Sequence, residues 1–318
     1  MLEDLIGHRK VKLLLSNMLE SEKIPHAFLF YGEAGVGKKS FAKAFARALI
    51  QEKKESHPDI RIYSLDEKSS LHTIASIREL KEEVYLPPFE AKYKIFIVED
   101  AHKMVSSASQ SLLKTLEEPS PYCKIILITE NVSDLLPTLV SRCCKIAFSP
   151  LPEEEIIQFL VKEKHLKEEL ARVIASDSFG SLERALCFIN DEERLWQETL
   201  FDLSLQFKTL SSDTIQEKLS FLEDQIEKKK SCSVENIYET LLRVMRDLTV
   251  VKQGLGPELL FFKNKEKDLK NAAEKTALSF DAMQRLWQEA KSSSTYHVKL
   301  KVALETLLIR LYEQYARA

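Results

Sequence analysis

Phe28-Leu29-Phe30-Tyr31-Gly32-Glu33-Ala34-Gly35-Val36-Gly37-Lys38-Lys39-Ser40-Phe41-Ala42 reads as a buried strand, a glycine-rich turn and the start of a helix. Gly32, Gly35 and Gly37 permit backbone conformations that a Cβ would obstruct, so successive N–H groups can converge on a phosphate, with Lys38 as a compact positive charge beside them. Against G-x-x-x-x-G-K-[ST], Gly32, Gly37 and Lys38 match, but Lys39 stands where a Ser or Thr hydroxyl would reach a magnesium ion. Ser40 comes one residue late, a rotation of ~100° on a helix, which turns its hydroxyl away from the phosphates. The stretch predicts a loop able to hold phosphate but poor at organising Mg²⁺, with hydrolysis impaired more than binding.

Upstream, Val11, Leu14, Leu15, Met18 and Leu19 recur at helical spacing and Pro25 ends the pattern. Downstream, a helix is expected to about Lys53, a turn at His57-Pro58-Asp59, a short strand over 60–65 and a helix ending at Pro87-Pro88. Lys94-Ile95-Phe96-Ile97-Val98-Glu99-Asp100 then reads as a strand buried on both faces, with acids at the end where the ligand crevice of a parallel sheet opens. This segment is Walker B-like, but Glu99 and Asp100 are in the reverse of the usual Asp-then-Glu order. Exchanging one methylene moves each carboxylate by ~1.5 Å, and a misplacement of about 1 Å can cost ~100-fold in rate.

A helix over 106–118 and a strand over 124–129 follow. Thr129, at the strand end, could bond a γ-phosphate or water, or be an ordinary strand terminus. Arg142, opening a last strand over 145–148 from a loop, reads from its residues alone as a solvated surface charge. Alternating strands and helices to residue 150 predict an α/β fold, a parallel sheet with helices on both faces. From Pro152 the periodicity is helical: three short helices to about residue 191, then long ones over 195–210, 215–230, 234–254, 280–291 and 298–316. The lysine runs at 228–230 and 263–270 are interleaved with acids and read as solvated helix ends and loops.

The 46 basic and 49 acidic side chains among 318 residues nearly cancel, which argues against autonomous electrostatic binding of nucleic acid. Cys123, Cys143, Cys144, Cys187 and Cys232 lack metal-ligand spacing, so neither a zinc site nor a disulfide framework is expected. With no apolar run approaching ~18 residues and no basic-then-apolar N-terminus, a soluble, cytoplasmic protein with no membrane contact is expected.

Asp4-Leu5-Ile6-Gly7-His8, Ile24-Pro25-His26-Ala27-Phe28, His57-Pro58-Asp59, Ile77-Arg78-Glu79-Leu80, Leu112-Leu113-Lys114-Thr115-Leu116-Glu117-Glu118-Pro119 and Ser141-Arg142-Cys143 occur in this order. Together with the loop they resemble the AAA+ clamp-loader family of DNA replication, and within it most closely the delta-prime type of bacterial DNA polymerase III subunit. The resemblance implies a RecA-like AAA+ domain over 1–150, a three-helix lid over 151–192 and a helical collar over 193–318 that joins a hetero-pentameric ring. It makes Arg142 an arginine finger, acting in trans on a neighbour's ATP, and brings the sliding clamp and primer–template DNA in as partners through the complex. It also makes Thr129 and Arg184 the sensor candidates. Glu183 occupies the position of the family's second sensor Arg, with Arg184 next. The four-cysteine module of many relatives is missing from 51–57, so no zinc is expected. ATP is the nucleotide implied for the loop Gly32, Gly35, Gly37, Lys38, Lys39 and Ser40, and Mg²⁺ would come only with it. The expectation is a stator with little or no ATPase of its own. The alternative is an ATP-hydrolysing motor subunit of the tau/gamma kind, with Ser40 recruited for Mg²⁺.

Overall fold

The computed structural model describes residues 2–206 except 53, 55, 66–71 and 73, then 234–273, with 211, 213, 214, 216–218, 220, 221 and 285 besides. The expected helices over 215–230, 280–291 and 298–316 lie wholly or mostly outside the described residues.

Five strands form one parallel sheet: β1 (Ala27–Tyr31), β2 (Ile60–Tyr63), β3 (Lys94–Val98), β4 (Cys123–Thr129) and β5 (Cys144–Ala147), in the order β2-β3-β4-β1-β5. The three central strands are apolar along almost their whole length and are covered on both faces, as parallel strands with crossover helices must be. Alternate residues serve opposite faces. Phe28, Phe30, Ile95, Ile97, Ile126 and Ile128 pack with Leu15 of α1 (Arg9–Ser21) and with Phe41 and Phe45 of α2 (Lys38–Leu49). Leu29, Phe96, Val98, Ile125 and Leu127 face Ile77 and Leu80 of α3 (Ile74–Glu83) and Leu112 and Leu116 of α4 (Ser106–Glu117). Each fully buried Phe or Leu contributes about 1.5–3 kcal/mol of transfer free energy to this packing.

The strand ends differ from expectation in small ways with local causes. β2 stops at Tyr63, two residues early, because it is an edge strand paired only with β3. α2 ends at Leu49 rather than near Lys53, where Gln51 takes a positive φ and its N–H turns back to Ala48. A single helical turn, α5 (Pro137–Val140), was not expected; Pro137 begins it at the position where a missing N–H costs nothing.

The described backbone divides into two compact units, residues 1–175 with 179–184, and residues 176–178 with 185–318. The first unit thus includes α6 (Glu153–Lys164) and most of α7 (Glu168–Asp177). The second unit is helical where described, with helices Asp191–Gln206, Val234–Lys252 and Glu266–Ala273. The first of these begins at Asp191, four residues before the expected Leu195. Within this unit the buried Asp247 carboxylate accepts the N–H groups of Phe261 and Phe262 and an Nη1–H of Arg246. Burial raises its pKa against the pull of those donors. Among the described residues, no helix is long and apolar enough to cross a membrane.

Candidate functional site

The sheet order assembles the site. β1 lies between β4 and β5, and β3 lies on the far side of β4, so the C-terminal ends of β1, β4 and β3 stand side by side. Tyr31 is in register with Thr129, and Val98 with Leu127. The glycine loop after β1, Thr129 at the end of β4 and Glu99–Asp100 after β3 therefore meet at one edge, where ligands bind in open α/β sheets.

The loop has the backbone expected of it: Gly32, Gly35 and Gly37 all have positive φ, and Gly37 caps α2 in the left-handed region. A Cβ on Gly32 would overlap the carbonyl oxygen of Phe148, and one on Gly35 would overlap the hydroxyl of Ser181. Two further contacts hold the loop. His8 Nε2 bonds the carbonyl of Val36 at 2.8 Å, and the N–H of Glu183 donates to the carbonyl of Gly35.

Its charges are spent within the chain. Lys38, almost fully buried, donates from Nζ to the carbonyls of Gly32 and Glu33, both at 2.6 Å. Burial pulls the pKa of this ammonium below the ordinary lysine value, against the carboxylates of Glu130, Asp100, Glu183 and Glu33 that favour its charge. Lys39 reaches across to β3, its Nζ 2.8 Å from Oε2 of Glu99. The other carboxylate oxygen of Glu99 is buried without a hydrogen-bond partner. Ser40 is exposed on α2. Asp100 has a left-handed φ of 47° and lies 4.0 Å from Lys103 Nζ.

A magnesium nucleotide needs a hydroxyl from the position after Lys38 and a free carboxylate at the end of β3. Here an ammonium replaces the first and is paired with the second, so the residues present do not fit the metal. Thr129 is buried; its hydroxyl donates to the carbonyl of Asn131 at 3.0 Å and lies 3.2 Å from His102 Nδ1. Arg184 is on the short helix α8 (Leu182–Cys187), with its guanidinium 5.5 Å from the Phe179 ring centroid and its N–H on Ser181 Oγ. The Glu183 side chain packs beside the loop, against Gly35.

Arg142 follows α5. Its guanidinium donates from Nη2 to Oε1 of Glu117 at 2.6 Å and from Nη1 to the carbonyl of Thr138 at 2.7 Å, with the side chain 35% exposed. The solvated surface charge that the residues alone suggest is braced by these two partners. Two partners escaped sequence reasoning, Glu117 for Arg142 and Glu99 for Lys39. The sequence marked Lys39 as a misfit for magnesium, but its partner is set by the strand order.

A family model described as DNA polymerase III, delta subunit, matches residues 7–152. The DNA polymerase III subunit delta' of Bacillus subtilis (strain 168) is 28% identical over 324 residues, covering 96% of this chain and 96% of that protein. The DNA polymerase III subunit gamma of Buchnera aphidicola subsp. Schizaphis graminum is 24% identical over 355 residues, covering 98% and 95%. Among solved structures, a DNA polymerase III gamma-subunit-related protein from Thermotoga maritima aligns with a TM-score of 0.46 at 15% identity, covering 95% of this chain and 99% of that one. Residues 7–152 thus match the DNA polymerase III delta-subunit model, and nearly the whole chain is similar to DNA polymerase III subunits of the delta' and gamma kinds.

Proposed function

We propose that the chain is a delta-prime-like stator of the clamp loader, which contributes an arginine finger rather than an ATPase site. The observation that carries this reading is the geometry of Arg142. A partly exposed guanidinium, bonded on two sides to Glu117 and Thr138, keeps its planar fork oriented at the surface before any partner arrives. Rotamer entropy that a free arginine would lose on engaging a phosphate is largely lost already. Such a fork can bond two phosphate oxygens of an ATP held by a neighbouring subunit and stabilise the charge that develops there. The internally paired loop supports the same division of labour: the chain helps a neighbour's chemistry and does little itself. The domain reading that accompanies it is a AAA+ domain over 1–150, a lid over 151–192 and a collar over 193–318 that joins the other loader subunits in a pentameric ring, acting on the sliding clamp and primed DNA.

The test is ATP turnover by a loader reconstituted with its partner subunits, clamp and primed DNA. Arg142→Ala is expected to lower turnover by about 10³-fold at the site it serves while assembly by gel filtration is unchanged, and the isolated chain is expected to show background hydrolysis. Turnover unaffected by Arg142→Ala, together with hydrolysis by the isolated chain, would reverse the assignment in favour of a motor subunit.

A further inference from the structure

We infer that the loop of this chain has an ammonium built into the place of the divalent cation: Lys39 holds Glu99 in the way a bound metal would, and the site takes no Mg²⁺ with or without nucleotide. The argument begins with position. Lys39 occupies the residue whose hydroxyl would be a metal ligand, and Glu99 ends the strand that supplies the acidic partner of the metal. The two are 60 residues apart in sequence and 2.8 Å apart in space.

Charge and burial then separate this pair from an ordinary surface ion pair. The Lys39 side chain is 54% exposed but that of Glu99 only 12%. An almost buried carboxylate needs a counter-charge, and with Oε1 lacking any hydrogen-bond partner the Lys39 ammonium is the cation on Glu99. Beside it, the lysine that would meet the phosphates is also engaged. Lys38 donates to Gly32 and Glu33, and the Gly35 carbonyl accepts from Glu183. Glu183 adds a carboxylate beside the loop where a phosphate would seek positive charge.

Competition favours the tethered group. Mg²⁺ gives up its water reluctantly and demands near-octahedral oxygen ligands. To enter here it must displace an ammonium already beside the carboxylate, without the hydroxyl that compensates in a working site, and then tolerate that ammonium nearby. A tethered side chain faces its partner at an effective concentration on the order of millimolar or more. Among the described residues, no group of three or more His, Cys, Asp or Glu side chains is arranged to hold a metal ion.

The experiment measures binding of a fluorescent, non-hydrolysable ATP analogue to the full chain by anisotropy, once in Mg²⁺ and once in EDTA. The wild type is expected to give the same titration in both. Lys39→Thr restores the hydroxyl and frees Glu99, and its affinity is expected to tighten by roughly tenfold or more in Mg²⁺ relative to EDTA. Lys39→Thr/Glu99→Gln should lose that gain. Wild-type binding that tightens in Mg²⁺, or a Lys39→Thr variant with no Mg²⁺-dependent gain, would overturn the inference. It concerns the loop alone: turnover unaffected by Arg142→Ala leaves it standing, Mg²⁺-dependent hydrolysis by the isolated chain would overturn it, and its own failure leaves the finger assignment untouched.

Discussion

Replacing Asp59 by asparagine removes one charge and exchanges one acceptor for a donor at a point where three backbone N–H groups converge. The Asp59 carboxylate, 1% exposed, accepts from Phe89 at Oδ1 (2.6 Å) and from Glu90 and Ala91 at Oδ2 (both 3.0 Å). It thereby ties the chain entering β3 to the start of β2, where the Asp59 carbonyl also accepts the N–H of Ile95. In Asp59→Asn the Phe89 bond can persist through Oδ1, but the new NH₂ faces two donors. Each orphaned donor costs about 1–3 kcal/mol. Phe89 and Glu90 are themselves exposed, so water can partly compensate and the low end applies. The expected loss is roughly 2–3 kcal/mol for Asp59→Asn and about 1 kcal/mol more for Asp59→Ala, which strands all three donors. Urea unfolding followed by hydrogen exchange at the Glu90 and Ala91 amides measures both the stability and its location. The pH dependence supplies a second arm. Burial raises the Asp59 pKa, but the backbone donors of Glu90, Phe89 and Ala91 and the charge of His57 outweigh it, and the net shift is downward. A depressed carboxylate contributes stability above its unfolded pKa of about 3.9 and loses that contribution as pH falls toward the folded value. The gap between wild type and Asp59→Asn should therefore be full at neutral pH and close below about pH 4. An Asp59→Asn protein with unchanged urea midpoint and unchanged protection of those two amides would refute the cap.

Other consequences of the same geometry are open to direct measurement. Gly32→Ala places a methyl group on the carbonyl oxygen of Phe148, a backbone atom that cannot rotate away, and should cost on the order of 3 kcal/mol or more; Gly254→Ala, also at positive φ but with open space around it, should cost only about 1 kcal/mol, and equal urea midpoints for the two variants would contradict the steric reading. Burial pushes the Cys123 and Cys143 thiols up to about 12, which leaves roughly 10³-fold less thiolate than an ordinary cysteine. Iodoacetamide on the native chain at pH 8 should accordingly spare both until urea is added, as read by peptide mass mapping; rapid native labelling of either would contradict their burial.

What was legible from the sequence is what depends on residues close together in it. Four or five consecutive apolar residues define a strand buried on both faces, and three glycines before a lysine define a turn that needs positive φ, because burial and backbone sterics act over a few residues. So β1, β3 and β4, the glycine loop, the reversed Glu99–Asp100 pair and the outward Ser40 could all be read before any coordinates. Residue identity also made Lys39 a misfit for magnesium. What the misfit does instead was not legible, since the partner of Lys39 lies at the end of another strand and only the β3-β4-β1 order brings the two together. The same holds for Arg142, an unremarkable charge until α4 brings Glu117 beside it, and for Glu183, whose packing against Gly35 depends on a chain return from beyond α7. His57-Pro58-Asp59 was visible as a turn, but the three N–H groups it caps belong to a loop some thirty residues on. Ion pairs and caps of this kind carry no periodicity and no local propensity. A hydrogen bond or Coulomb contact acts only at contact range, and which residues come into contact is decided by how the strands are ordered and registered, after the hydrophobic faces have been buried.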